Sequence, residues 1–198
     1  EILPEAYKAF MEFDRLALKD GAIPKKMKEL IAVACAHITG CPYCIDIHVG
    51  NAKKLEASKE EMVEAIMVAT ALKAGSAIAH GINAFNAYDG SEEEALYNRA
   101  NLKRFKEYGV INPSTHAAFS HFDEEAMKEG LISRKEKELI AVACAHITGC
   151  AYCIDIHVRR AKQQGVTLEE LTESIFVATA LKAGSALAHS VNALNAYE

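Results

Sequence analysis

The sequence predicts an all-α fold built from one helical unit written twice, and three observations carry that prediction. The 198 residues are 51% hydrophobic with only 11 Gly and 4 Pro, a core-forming composition that excludes disordered, collagen-like and low-complexity classes. Every periodic signal is helical: Ala, Leu, Met, Glu and Lys dominate, and strand-like alternation is missing. Set against itself at an offset of 109, the chain aligns KELIAVACAHITGCPYCIDIH at Lys28–His48 with KELIAVACAHITGCAYCIDIH at Lys137–His157, the two differing only at Pro42 and Ala151. TALKAGSAIAH at Thr70–His80 likewise meets TALKAGSALAH at Thr179–His189, and Phe10, Phe13, Asp14 and Gly21 meet Phe119, Phe122, Asp123 and Gly130. Two copies of so long a unit indicate a duplication, since solenoid periods are about 20–50 residues. The expected organisation is repeat 1 at 1–89, repeat 2 at 110–198 and a connector at 90–109.

Each element follows from local chemistry, with about five to six helices per repeat. A first helix, about Glu5 to Lys19, is stopped by Gly21. A second spans about Lys25 to Thr39; Leu30–Ile38 is apolar all round except for His37, so burial on every side is expected. Gly40 breaks the chain and Cys41 opens a third helix, whose first turn tolerates Pro42 because the missing N–H has no partner there anyway. Ser58-x-x-Glu61 and Thr167-x-x-Glu170 are capping-box patterns that begin a fourth helix. A fifth is expected from about Gly75, made of small residues with His80 and Asn83. The connector reads as an exposed helix, with Ser91 ahead of three glutamates, Lys and Arg late, and Gly109 as its stop. Helices this short and apolar are expected to bury surface against another unit, so an oligomer is anticipated.

The net charge of −5 and pI of about 5.9 leave no basic field to attract phosphates, so no nucleic-acid partner is expected. The longest apolar stretch, Val68–Phe85, carries Lys73 and His80 and is not expected to cross a membrane. No secretory signal pattern is seen at the first residues. Six cysteines in a long helical chain do not fit a secreted disulfide scaffold, so a reducing, cytoplasmic setting is expected.

The cysteines fall at 35, 41 and 44 and again at 144, 150 and 153. Cys41-x-x-Cys44 and Cys150-x-x-Cys153 stand at helix starts, where exposed N–H groups and the macrodipole favour thiolate, the nucleophilic form. Three positions apart, the two sulfurs can approach to disulfide distance. His48 and His157 follow the second cysteine of each pair by one helical turn and share its face. Glu29 and Glu138, each twelve residues before the first cysteine, can return across the glycine turn to orient or proton-couple the imidazole. Zinc on Cys35, Cys41, Cys44 and His48 is a rival use of the same atoms, although Cys35 sits in mid-helix and so fits core packing better. His37 and His146 point away from the cysteines and read as packing or hydrogen-bonding residues. His80 and His189, with Asn83 and Asn192, read as interface residues, and His116 and His121 as surface residues.

The arrangement Glu-x11-Cys-x-x-Cys-x-x-x-His in an Ala-rich helical unit resembles the alkylhydroperoxidase core shared by the AhpD-like and carboxymuconolactone decarboxylase families. It occurs at Glu29, Cys41, Cys44 and His48 and again at Glu138, Cys150, Cys153 and His157. The resemblance implies the AhpD-like helical fold and a thiol-dependent peroxidase or disulfide reductase. Cys44 and Cys153 would attack the peroxide, while Cys41 and Cys150 would resolve it and face the reductant. The Glu and His of each repeat would relay the proton. It also implies a homotrimer of the duplicated chain, a pseudo-hexamer of repeats. Where AhpD proteins often carry a second His, this chain has Tyr43 and Tyr152, which implies a weaker relay, a phenol being a poor base at neutral pH. No flavin, haem or nicotinamide fingerprint is present, so no cofactor is expected and electrons would come from an external dithiol or protein reductant. Two other readings stand beside this one: a zinc-binding or redox-sensing structural protein, and a carboxymuconolactone-decarboxylase-like lyase that uses Glu and His with the cysteines as bystanders.

Overall fold

The computed structural model describes residues 3–89 and 97–197, and among these it is helical with no strand. In repeat 1, α1 spans Pro4–Ala17, α2 Lys25–Thr39, α3 Pro42–Lys54 and α4 Lys59–Tyr88; a 3-10 turn at Arg99–Arg104 and α5 at Phe105–Ile111 follow. In repeat 2, α6 spans Pro113–Met127, α7 Arg134–Thr148, α8 Ala151–Gln163, α9 Leu168–Ala188 and α10 Ser190–Tyr197.

The two apolar helices form the centre. Leu30 to Ala36 on α2 and Leu139 to Ala145 on α7 are buried throughout, and the two helices pack on one another. Burial ends two residues earlier than the expected Ile38: His37, Ile38 and Thr39 are half-buried, with His37 Nδ1 on Val33 O at 2.7 Å and His146 Nδ1 on Val142 O at 2.8 Å. Around this centre the repeats interlock. Besides α2 of its own repeat, α4 packs on α6, α7 and α8, while α9 packs on α1, α2 and α3. One apolar cluster therefore holds residues of both halves, and the two sequence repeats share a single core.

A reciprocal pair of buried lysines ties the halves together. Lys28 on α2 reaches Glu173 on α9 at 3.0 Å, and Lys137 on α7 reaches Glu64 on α4, also at 3.0 Å. Each carboxylate also accepts two backbone N–H groups from the other repeat's interhelical loop: Ala22 and Ile23 for Glu173, Leu131 and Ile132 for Glu64. Burial alone would raise the pKa of both glutamates, but these N–H groups and the lysine outweigh it, so both are held below the ordinary carboxylate value. Gly21 and Gly130 make room for the carboxylates, since a Cβ there would lie 2.2 Å and 2.4 Å from the Glu173 and Glu64 oxygens.

The capping boxes form as the sequence predicts, with Ser58 Oγ accepting from Glu61 N at 3.0 Å and Thr167 Oγ1 from Glu170 N at 3.1 Å. Three other expectations are corrected. The first helix ends at Ala17, short of Lys19. No fifth helix starts at Gly75: α4 is continuous for 30 residues, whereas α9 does break, at His189. The difference has a cause in the connector. Tyr108 of α5 donates to Ile78 O at 2.8 Å and packs on Phe85, and Arg104 bonds Asn86 and Asp89. This brace runs along the second half of the continuous α4. Finally, the connector is not one helix: Gly90 to Glu94 and the residues to 96 lie outside the described residues, and the remainder is the 3-10 turn and α5, which runs through Gly109 to Ile111 and stops before Pro113. Lys59–Asn86 and Leu168–Tyr197 are long and apolar enough to cross a membrane by length and composition; here both pack against the central helices.

Candidate active site

Gly40 and Gly149 end α2 and α7 in the left-handed conformation, both at φ +69°, a backbone geometry costly for any side chain with a Cβ. The reversal places Cys41 and Cys150 at the N-caps of α3 and α8, one position earlier than a first-turn placement. Their sulfurs accept the Cys44 and Cys153 N–H groups, both at 3.3 Å.

All eight predicted site residues are gathered by this turn. Glu29 and Glu138 are buried, at 2% and 1% exposure, and bind the imidazoles directly: His48 Nδ1 lies 2.8 Å from Glu29 Oε2, and His157 Nδ1 lies 2.8 Å from Glu138 Oε2. A carboxylate on Nδ1 fixes that nitrogen as the N–H and leaves Nε2 for chemistry. Cys150 Sγ and Cys153 Sγ are 2.6 Å apart as free thiols.

The electrostatics separate the two cysteines of repeat 2. Contact with the Cys153 thiol pulls the Cys150 pKa down to about 6 against the opposing effect of burial; the Cys153 N–H, a hydrogen bond from Ser76 and the charge of His80 add to this. Contact with Cys150, burial and the neighbouring Asp123 push Cys153 up. Burial first, then Cys41 and Asp14, push Cys44 up to about 12. In the repeat 2 pair the first cysteine is thus the more readily ionised. Accessibility runs the other way: Cys41 and Cys150 are 0% exposed, so neither faces a reductant as the resemblance implied, while Cys44 and Cys153 retain 6% and 5%.

Cys153 and His157 open onto a cavity of about 270 Å³ whose other walls are α4 at Leu72 and Gly75, the connector at Phe105, and α6 at Phe119 and Asp123. Repeat 2 chemistry is therefore framed by repeat 1 and the connector. The two sites differ through their unrepeated neighbours. Tyr152 is 1% exposed under Tyr97, ring centroids 4.9 Å apart, whereas Tyr43 is 43% exposed and meets His189 edge-on. Where Asn51 donates to Glu29 Oε1 at 3.5 Å, repeat 2 has Arg160, 3.8 Å from Asp123.

Asp14 and Asp123, which sequence reasoning left unassigned, also belong here. Burial raises the Asp14 pKa, against the charge of His48, which lowers it, and with that of Glu29, which raises it. Their signal was positional: each keeps the 109-residue register beside the matched Phe10, Phe13 and Phe119, Phe122 of the first helices. His116, read as a surface residue, and Ser120 line the cavity. Cys35 does not join Cys41; it bonds Cys144 across the α2–α7 contact, which together with burial pushes its pKa well up. The Cys₃His set considered for zinc is thus not assembled, and among the described residues no three potential ligands converge.

Comparison with known proteins agrees with this architecture. The family model for the carboxymuconolactone decarboxylase family matches twice, at residues 4–87 and 113–196. Uncharacterized protein 4 in the cox locus of Paracoccus denitrificans is 44% identical over 81 residues, 41% of this chain and 73% of that protein. Uncharacterized protein H16_B0147 of Cupriavidus necator is 31% identical over 86 residues, 43% of this chain and 76% of that one. A crystal structure from Burkholderia xenovorans, described as a gamma-carboxymuconolactone decarboxylase subunit, superposes with a TM-score of 0.67 over 97% of this chain and 88% of that one, at 17% identity. That likeness shows the fold, and the doubled family match accounts for the repeats: this chain belongs to the carboxymuconolactone decarboxylase family, in a tandem form.

Proposed function

We propose that the protein reduces hydroperoxides through its two cysteine pairs. The observation that carries this reading is the contact of Cys150 and Cys153 sulfurs at 2.6 Å, beside a carboxylate-bound imidazole and at the wall of a cavity. In the proposed cycle the Cys153 proton passes to Cys150, and the Cys153 thiolate attacks the outer oxygen of ROOH. An S–O bond forms, the O–O bond breaks, and His157, held by Glu138, donates a proton to the departing alkoxide. Cys150 then attacks the sulfenic sulfur; the S–S bond forms, S–OH breaks, and the Cys150 proton leaves with hydroxide as water. The balance is ROOH, one thiolate, one thiol and one proton going to ROH, water and a disulfide. Cys41, Cys44, His48 and Glu29 would act alike in repeat 1. An external dithiol or protein reductant restores the thiols, and the working assembly is proposed to be a trimer, which sedimentation would check.

The test is a thiol count on anaerobic protein before and after one equivalent of cumene hydroperoxide per repeat. Loss of about four thiols per chain, reversed by dithiol and abolished by Cys44→Ser with Cys153→Ser, is the expected result. Six thiols unchanged by hydroperoxide would refute it. Turnover of a small lactone that survives the same double substitution would favour the lyase reading, for which the Glu–His pairs suffice.

A further inference from the structure

The cavity beside Cys153 can be compared wall by wall with its counterpart in repeat 1, because the 109-residue register runs through its repeated helices. On α8 the lining residues Cys153, Ile156, His157 and Arg160 recur at one-turn spacing and share a face; repeat 1 has Cys44, Ile47, His48 and Asn51 there. On α4, Leu72, Gly75 and Ala79 correspond to Leu181, Gly184 and Ala188 of α9, and Phe119 stands over Gly75 as Phe10 stands over Gly184. On α6, His116, Ser120 and Asp123 meet Tyr7, Met11 and Asp14. The reacting groups and the α4 and α9 walls are therefore common to both repeats. Three positions differ, His116, Ser120 and Arg160, and each is more polar in repeat 2. Tyr7, Met11 and Ile47 are exposed where His116, Ser120 and Ile156 are half-buried, and Phe105 of the unrepeated connector adds a further wall in repeat 2 alone.

Arg160 is the one permanent charge among these differences. Its guanidinium lies 3.8 Å from an Asp123 oxygen, outside hydrogen-bond distance, and its side chain is half-exposed. Among the described residues its N–H donors therefore keep room for a ligand at the cavity mouth, whereas Asn51 donates to Glu29. We propose that the repeat 2 cavity selects organic hydroperoxides that carry a carboxylate, with Arg160 holding the carboxylate while the hydroperoxide reaches Cys153, and that repeat 1 makes no such selection. The planar guanidinium matches a carboxylate through two parallel hydrogen bonds. Asp123 beside it repels a dianion more strongly than a monoanion, which disfavours phosphate. Arg160 stands two turns beyond Cys153, about 10 Å along the axis, and helix side chains lean toward the N-terminus, which shortens the span to be bridged. A cavity of about 270 Å³ is at the small end for ligand sites. One ring or a short chain, carboxylate at one end and peroxide at the other, fits between Leu72, Phe105, Phe119 and Ile156. The reaction is the cycle above, and the carboxylate stays unchanged on the alcohol product.

The selection rests on the peroxidase reading for its chemistry but not for its binding step, so the test measures both. In a Cys41→Ser, Cys44→Ser background, which leaves the repeat 2 pair alone, calorimetric binding of unreactive 4-isopropylbenzoate is compared with that of its neutral analogue 4-isopropylbenzamide. The rate of thiol loss is compared for cumene hydroperoxide and its para-carboxylate. The benzoate is expected to bind, and the para-carboxylate to react at low concentration, about tenfold better than the neutral partner, the weight of one charge-assisted contact at a half-exposed site. Arg160→Asn should bring both ratios to about one, and Arg160→Lys, which keeps the charge, should retain part of each. The Cys150→Ser, Cys153→Ser protein, which keeps the repeat 1 pair alone, should consume the two hydroperoxides at similar rates. No benzoate binding, a benzoate-to-amide ratio near one, a ratio untouched by Arg160→Asn, or equal rates for the two hydroperoxides at repeat 2 would overturn the selection. Tighter benzoate binding that is lost in Arg160→Asn, with no thiol loss from either hydroperoxide, would keep the carboxylate site and overturn only the peroxidase reading.

Discussion

Lys137→Met tests whether the two repeats are one folding unit. Lys137 is only 5% exposed on its side chain, lies 3.0 Å from Glu64 Oε2, and donates to Lys128 O at 2.5 Å. Met keeps the length of the stem, so no large cavity opens and the loss is electrostatic. Breaking a buried ion pair from one side costs about 3–5 kcal/mol. Glu64 keeps its two N–H donors and is 22% exposed, so about 2–3 kcal/mol is expected here. For a chain of this size that lowers Tm by about 5–10 °C. Lys28→Met removes the symmetric contact with Glu173, and the two sites share no partner, so the double variant should lose the sum to within about 0.5 kcal/mol. Urea unfolding followed by far-ultraviolet circular dichroism is the assay, with a single transition and an unchanged m-value expected in all four proteins. A loss under about 1 kcal/mol would refute the electrostatic argument. Two separable transitions, one of them untouched by Lys137→Met, would refute the shared core.

Three further outcomes follow from the same geometry. Gly130→Ala forces a Cβ to within 2.4 Å of a Glu64 oxygen already pinned by two N–H groups and should cost about 1–3 kcal/mol, whereas Gly50→Ala, in α3 with open space around it, should stabilise by about 0.4–1 kcal/mol in thermal melts. Glu64 and Glu173 have lowered folded-state pKa values, so their contribution is complete above the unfolded value of about 4.3 and is lost as pH falls through the folded values; Tm measured from pH 6 to pH 3 should therefore fall less steeply in Glu64→Gln with Glu173→Gln than in the parent. Glu138→Gln leaves His157 without its charged partner and should slow hydroperoxide reduction at repeat 2, measured in a Cys44→Ser background, by about tenfold to hundredfold, and a rate equal to the parent would remove Glu138 from the relay.

What the sequence made legible divides along physical lines. α2 was readable to both ends because an unbroken apolar run, a preceding Pro24 and the Gly40 stop all act within a few residues of one another. The Glu–His and Cys–Cys contacts were readable because one glycine turn folds them together, and the duplication supplied a second copy in the same register. What escaped depended on distant packing. Gly75 looks like a helix break until Tyr108 and Arg104 of the connector are seen bracing α4, and His189 has no such brace. Which cysteine of repeat 2 has the lowered pKa also escaped, since that turns on a one-residue difference between N-cap and first-turn placement and on the contact of the two sulfurs.

The interlocking also explains how two nearly identical motifs come to differ. Between Lys28–His48 and Lys137–His157 one residue changes, and it sits at a helix start that accepts either Pro or Ala. Nothing within the motif can then bury one tyrosine and expose the other. The difference arises because each site is walled by the other repeat's long helix, and only one long helix is followed by the connector. Tyr97 covers Tyr152, Arg99 bonds Asp155 at 2.6 Å, and Phe105 closes the cavity beside Cys153; α9 is followed instead by α10, with no aromatic returning over Tyr43 other than His189 among the described residues. Identical chains meeting symmetrically would be obliged to build identical sites, since every residue near one would recur at the other. Joining the two copies in one chain lifts that constraint at the connector alone, so substitutions there should alter repeat 2 while leaving the thiols of repeat 1 as they are.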